Sequence, residues 1–180
     1  RDTTKPGSAP AVYPRAMTDA DTAASDEQVE GTFLVTAADD TSAVLKNVES
    51  GQVHTLSSNP GVERNDVIEG TVSPDPPMNV SYQLVETVSR RSLSIDRSEE
   101  PPTAHSEELA AAQDVGELTR EPREGIGEIH VITVPDDGTE TAVDDVLEDE
   151  EGLLSRAARL GVNRVEIRSS PGVLSVRYLP

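Results

Sequence analysis

Arginine is the side chain in this sequence whose placement most suggests chemistry. Arg156 and Arg159 are three apart in a helical stretch and share a face. Arg164 and Arg168 are even-numbered in one strand pattern and also share a face, and Arg177 lies in the strand that follows. Arg90, Arg91 and Arg97 follow the last of a series of short strands. A guanidinium offers a bidentate fork to carboxylate or phosphate, so these arginines could form a partner-binding surface. The alternative is internal: Glu128–Glu151 holds ten acids and no Lys or Arg, whereas Gly152–Pro180 holds five Arg and one acid, Glu166. Pairing with the acidic run at 136–151 is the reading the sequence favours, because both halves are already in the chain.

Other constellations carry less. His54, His105 and His130 lack metal-site spacing, and His130, flanked by aliphatics, reads as a packed, hydrogen-bonded histidine. Asp136-Asp137, Asp144-Asp145 and Glu148–Glu151 match no cation-loop spacing and read as a solvated face. There is no Gly-x-Ser-x-Gly, and Ser57-Ser58 and Ser169-Ser170 lie beside turns. Gly125-Ile-Gly127 lacks a third glycine and precedes a strand where a nucleotide loop follows one. No catalytic set, cofactor or metal site, or small-molecule substrate is identified, and an enzyme is the least favoured class.

Composition sets the frame. Thirty-four acids against 15 bases give a net charge of −19 over 180 residues, and only Lys5 and Lys46 are lysines. Acid excess with so little lysine suits a cytosol of molar salt, where self-repulsion is screened over about 3 Å. The cytoplasm of a halophile is therefore the expected location, with no membrane partner, because no apolar run approaches the roughly 18 residues a span needs. Cysteine is absent, which rules out disulfides and thiolate chemistry. Four aromatic residues leave the core to Val, Leu, Ile and Ala.

The elements that must position these residues fall into two groups. Residues 1–28 read as a solvated arm, with Met17 as the expected natural start and 1–16 as non-native upstream sequence. From 29 to 95, strands are expected at Val29–Thr36, Ala43–Val48, Gln52–Leu56, Asp66–Val72 and Asn79–Ser89, with Leu93–Ile95 as a possible short edge. Glu49-Ser-Gly51 is a hairpin signal, and a small antiparallel β-barrel of the OB or SH3-like kind follows. Asp96–Thr103, with two prolines and four charges, reads as a linker. The remainder, 104–180, is expected to be a two-layer α+β domain. Its helix runs from Thr103 or Ser106 to about Arg120, with Ala111, Val115 and Leu118 on one stripe and a role as a possible second cover. A strand at Glu128–Val134, an amphipathic helix broken at Glu150–Gly152 and closed by Gly161, and a hairpin turning at Ser170-Pro-Gly172 complete it.

The stretches Val29-Glu-Gly-Thr-Phe-Leu-Val35, Asn65-Asp-Val-Ile-Glu-Gly-Thr-Val72 with Pro74-Asp-Pro-Pro77, Ala157-Ala-Arg-Leu-Gly-Val-Asn-Arg-Val-Glu-Ile167 and Pro171-Gly-Val-Leu-Ser-Val-Arg-Tyr178 resemble a family of haloarchaeal proteins without an assigned activity. The resemblance covers about residues 17–180 and implies a cytosolic halophile protein, with no functional residue to carry over.

Three functions remain. The first is a non-enzymatic adaptor that binds an unknown protein or ribonucleoprotein through the barrel and Arg90, Arg91, Arg156, Arg159, Arg164, Arg168 and Arg177. The second is an OB-like RNA- or DNA-binding protein associated with translation or replication machinery, which requires Arg90, Arg91, Arg164 and Arg168 to line one open surface. Residues 29–95 argue against it, with only Phe33 and Tyr82 for stacking. The third is a hydrolase or transferase with an interdomain cleft that brings His130 near acids.

Overall fold

The computed structural model describes residues 27–180, so the expectations placed on residues 1–26 lie outside the described residues. The first five strands are β1 (Val29–Ala38), β2 (Ala43–Asn47), β3 (Val53–Leu56), β4 (Asp66–Pro74) and β5 (Tyr82–Ser92). Turn chemistry joins them as the sequence suggests. The Asp39 carboxylate accepts from the backbone and hydroxyl of Thr41 and the backbone of Ser42, and these bonds hold it below the usual carboxylate range. Asn47 Oδ1 accepts from the backbone of Glu49 and Ser50.

The strands close in the order β1-β2-β3-β5-β4, with β1 returning to β4. All pairs are antiparallel except β3 with β5, an arrangement of the OB type. Inward positions alternate with outward ones, so Phe33, Val35, Ala43, Leu45, Leu56, Ile68 and Val72 fill the barrel. Gly70 is fixed by close approach: a Cβ there would lie 2.1 Å from the Glu86 carbonyl oxygen, where β5 bulges across β4.

The second sheet has the order β6-β9-β10-β8-β7. Its strands are β6 (Ser94–Arg97), β7 (Leu118–Pro122), β8 (Glu128–Thr133), β9 (Arg164–Ser170) and β10 (Val173–Leu179), and its helices are α1 (Ala104–Ala111), α2 (Thr139–Glu148) and α3 (Glu150–Leu160). The β9–β10 hairpin turns at Pro171-Gly172, and Gly161 closes α3 at φ +73°. The helix break falls at Asp149, whose side chain caps α3 by accepting from the Gly152 amide. Val143, Leu153, Leu154, Ala157 and Ala158 pack on one face of the sheet over Val165, Ile167, Leu174, Val176 and Tyr178. The second cover is α1: Thr133 Oγ1 donates to the Ala110 carbonyl from the opposite face, where Val131 and Ser175 are fully buried.

Two elements depart from the sequence reading. The helix from Thr103 ends at Ala111, and Leu118–Pro122 is a strand paired with β8. Gln113 stops the helix by donating to the carbonyls of Glu117 and Val131, and Gly116 turns the chain at φ +92°. The Ala111, Val115 and Leu118 stripe has nothing to bury against, and Val115 and Leu118 are exposed. The short edge at Leu93–Ile95 does not join the barrel. Ser94–Arg97 instead pairs in parallel with β9, so the chain leaves the barrel at Leu93, and Asp96 and Arg97, expected to begin the linker, are strand residues that leave 98–103 as the connection.

The barrel and the second sheet share a core. Leu34 and Val67 are register partners on the outside of the barrel, and with Val48 and Leu93 they belong to the same buried cluster as Leu153, Leu154, Ala157 and Val162. Polar contacts frame it: Lys46–Glu151 at 2.6 Å, Arg64–Glu150 at 3.2 Å, and Arg91 donating to the Ala158 carbonyl at 3.0 Å.

Candidate interaction surfaces

The seven arginines do not form one surface, because the fold sends them to three places. Arg90 and Arg91 end β5. Arg90 pairs with the buried Asp66 at 2.7 Å and donates to the Gly61 carbonyl, while Arg91 turns to α3. Arg156 and Arg159 leave α3 in different directions: Arg156 binds Glu128 at 2.5 Å, and Arg159 reaches the Val48 carbonyl of the barrel at 3.4 Å.

Arg164, Arg168 and Arg177 gather around one acid. Glu166 lies between Arg164 and Arg168 on the same strand face, and β10 places Arg177 directly opposite it. Arg168 Nε and Arg177 Nη1 both donate to Glu166 Oε1, with Arg177 at 2.9 Å, and Arg164 stands 3.6 Å from Oε2. Arg168 is further bound by Glu100 at 2.6 Å. Burial pushes the Glu166 carboxyl up, but the hydrogen bonds and charges of Arg168 and Arg177 bring it below the usual range.

The acids that hold the arginines are therefore chiefly Asp66, Glu100, Glu128 and Glu166. The expected partner, the run at 136–151, takes Arg97 through Glu140 and engages Lys46 and Arg64 at the junction with the barrel.

His130 is brought near an acid. Its Nε2 lies 2.9 Å from Glu128 Oε2, which Arg156 also holds, and its ring packs against Tyr178 at 4.9 Å. Burial lowers the imidazole despite the Glu128 bond, with the charges of Arg156 and Arg120 acting in the same direction. Burial pushes Glu128 up, but His130 and Arg156 more than offset it. The group ties β8 to β10 and α3 through these contacts.

The space at the junction of barrel and α3, lined by Leu34, Arg64, Asn65, Glu150 and Leu154, is about 40 Å³. That suits a water, whereas substrates occupy roughly 300 Å³ or more. A larger recess of about 380 Å³ lies at the barrel rim among Asp39, Asp40, Asn59, Glu63 and Arg64, with no histidine in its lining. Among the described residues no group of three or more His, Asp or Glu could hold a metal ion.

These environments give the stability a direction with pH. His130 and His54 are both held below the ordinary histidine value, His54 by burial alone. The unfolded chain binds protons that the folded chain refuses, so stability is full above about pH 6.5 and falls as pH drops below it. Glu128 and Glu166 extend the loss below about pH 4.3. His105, raised by its bond to Glu121, acts in the opposite sense but is fully exposed. Urea midpoints at fixed ionic strength should therefore already fall between pH 6.5 and 5, and a flat profile over that interval would contradict these assignments.

The surface that sequence reasoning missed is on the barrel. Val53, Met78, Val80, Val85 and Val88 are exposed, Met78 and Val80 by about three quarters. Val53 projects from β3, which runs parallel to β5 with Leu56 opposite Tyr82, and Met78 and Val80 belong to the β4–β5 loop that leads into Tyr82. The loop is held in shape by Asp75, whose amide donates to the Ser81 carbonyl at 2.8 Å and whose carboxylate accepts from Ser81 at 2.8 Å. Hydroxyls of Ser57 and Ser81 keep that carboxyl below its usual range. Lys46, on the neighbouring strand, is tied to Glu151. The signal was available: alternation in Gln52–Leu56 turns Val53 outward, and Met78-Asn-Val80 is an apolar insertion in a proline-rich connection.

Among the described residues no helix is long and apolar enough to cross a membrane. No curated protein and no solved structure matches the sequence. Residues 29–169, which run from the first barrel strand almost to the end of β9, match a family of unknown function (DUF5812), and since the match spans most of the chain, this protein belongs to that family.

Proposed function

We propose that this protein is a non-enzymatic interaction protein of a halophilic, archaeal cytosol, and that it docks a protein partner on the β3–β5 side of its barrel. The observation that carries the reading is the exposure of Val53 on β3 and of Met78 and Val80 on the well-anchored loop that leads into β5. Large apolar side chains left exposed on a rigid support in a chain of charge −19 suit a protein-binding surface. The other face of the barrel is already used, because Leu34 and Val67 lie under α3. Acid excess with two lysines supports the high-salt setting.

Nucleic acid is the second reading, favoured by the OB-type strand order, whose β2–β3 face and loops bind oligonucleotides in other proteins. Here the only lysine of that face is paired, and Tyr82 is turned onto His54. The test is capture of partners by the tagged full chain from a cell extract in molar KCl, with and without nuclease. Proteins retained after nuclease are expected. Recovery that disappears with nuclease would transfer the proposal to nucleic acid.

A further inference from the structure

The barrel interior contains one polar ring with nothing to bond to. His54 has no exposed surface, and neither Nδ1 nor Nε2 has a hydrogen-bond partner. Whichever tautomer is present, one N–H donor and one lone pair go unmet, which an aliphatic or phenyl side chain at the same place would avoid. The ring stands edge-on to Tyr82 with centroids 4.6 Å apart, and to Phe33 at 5.6 Å.

Tyr82 is also the residue that closes the barrel. Strand β3 meets β5 at one register position, Leu56 opposite Tyr82, supported by the Ser57 amide donating to the Tyr82 carbonyl at 2.9 Å. Every other barrel pair is held over a longer ladder. The seam with the fewest bonds is thus the one directly in front of the unpartnered histidine.

No charged side chain faces the ring from the strands around it. Its inward neighbours are Phe33 and Val35 on β1, Ala43 and Leu45 on β2, Ile68 and Val72 on β4, and Tyr82 and Leu84 on β5, of which only Tyr82 can ionise. The charged groups of the same strands lie elsewhere. Lys46 is bound to Glu151, Glu69 is exposed and bonded by Ser89, Glu30 and Glu86 are exposed, Arg91 turns to α3, Asp66 with Arg90 sits at the far end of β4 and β5, and Asp75 stands on the solvent side of the seam, bonded by Ser57 and Ser81. An imidazolium inside the barrel would have no counter-charge.

We propose that the β3–β5 seam is an acid-triggered opening of the barrel, with His54 as its trigger. The closed barrel holds the neutral ring, and the charged ring reaches water where the wall is weakest. Burial, which keeps the closed-state histidine below its ordinary value, sets the direction. Opening takes up one proton, so the opening constant rises about tenfold for each pH unit below roughly 6.5.

The test is amide exchange of the full chain between pH 7.5 and 5, expressed as protection so that intrinsic exchange cancels. The Ser57 amide is expected to lose protection about tenfold per pH unit below roughly 6.5, ahead of the amides of the β1–β4 ladder, which lose only what the fall in global stability, read from urea midpoints at the same pH, takes from them. In His54→Phe and His54→Leu, Ser57 protection is expected to stay level. A level wild-type profile, or the same loss in the variants, overturns the proposal. If neither variant folds, the wild-type comparison decides: loss at Ser57 ahead of the β1–β4 ladder upholds the seam, and simultaneous loss at both overturns it.

Discussion

Replacing Glu166 with glutamine is expected to lower the unfolding free energy by about 3 kcal/mol, read from urea or thermal unfolding in moderate salt. The side chain is almost fully buried, and its carboxylate is the shared counter-charge of Arg168 and Arg177, themselves mostly covered. The amide keeps the shape and removes the charge, leaving two guanidinium groups close together beside Ser175, whose hydroxyl already lacks a partner. Removing one member of a buried ionic group costs far more than the net worth of the group. The internal control is Arg164→Ser: this arginine is half exposed and 3.6 Å from Glu166, so its loss should cost less than about 0.5 kcal/mol. Equal, small effects for both would mean that the arginines are held no more tightly than surface charges.

A comparable loss, about 3 kcal/mol, is expected for Leu154→Ala. Leu154 is 2% exposed and sits where the outer face of the barrel meets α3, in the cluster that includes Leu34, Val67, Leu93, Val165 and Ile167. Truncation leaves a cavity walled by both units, and neither can collapse into it without moving the other. The consequence to measure is cooperativity. Exchange of amides in the β1–β4 ladder and in the β8–β10 ladder should accelerate together in the variant, because the two sheets share this core. Acceleration confined to β8–β10 would show that the barrel stands independently of α3.

Much of this architecture is legible in local sequence, where local chemistry decides it. Glu49-Ser-Gly51 and Ser170-Pro-Gly172 place the hairpins because the turn residues select their own backbone, and Gly161 ends α3 for the same reason. Segment 112–120 goes astray because its outcome depends on one amide: Gln113 bonds to carbonyls of the following strand and of β8, which no helical periodicity reveals. Strand β6 escapes because its partner, β9, lies some 70 residues on, and Ser94–Arg97 has no pattern of its own.

The arginines are instructive in the same way. Counting charges by segment points to the run at 136–151, yet strand parity alone puts Glu166 on the face of Arg164 and Arg168, and the hairpin register adds Arg177. Geometry at two-residue spacing outranks the larger acid count further away. The exposure of Val53 was legible in principle through alternation, but that of Met78 and Val80 depends on how the β4–β5 loop folds back on Asp75, a matter strand periodicity does not reveal.

Docking through the barrel and docking through the arginine-bearing hairpin make opposite demands on two variants of the full chain. Capture from extract should be compared for the wild type, for the barrel-face variant Val53→Asp/Val80→Asp, and for Arg164→Ser, with nuclease present and folding checked by far-UV circular dichroism. The barrel reading predicts that the double variant, altered only at exposed positions, folds and loses the captured protein, while Arg164→Ser retains it. Capture unchanged by Val53→Asp/Val80→Asp, or abolished by Arg164→Ser, would contradict it.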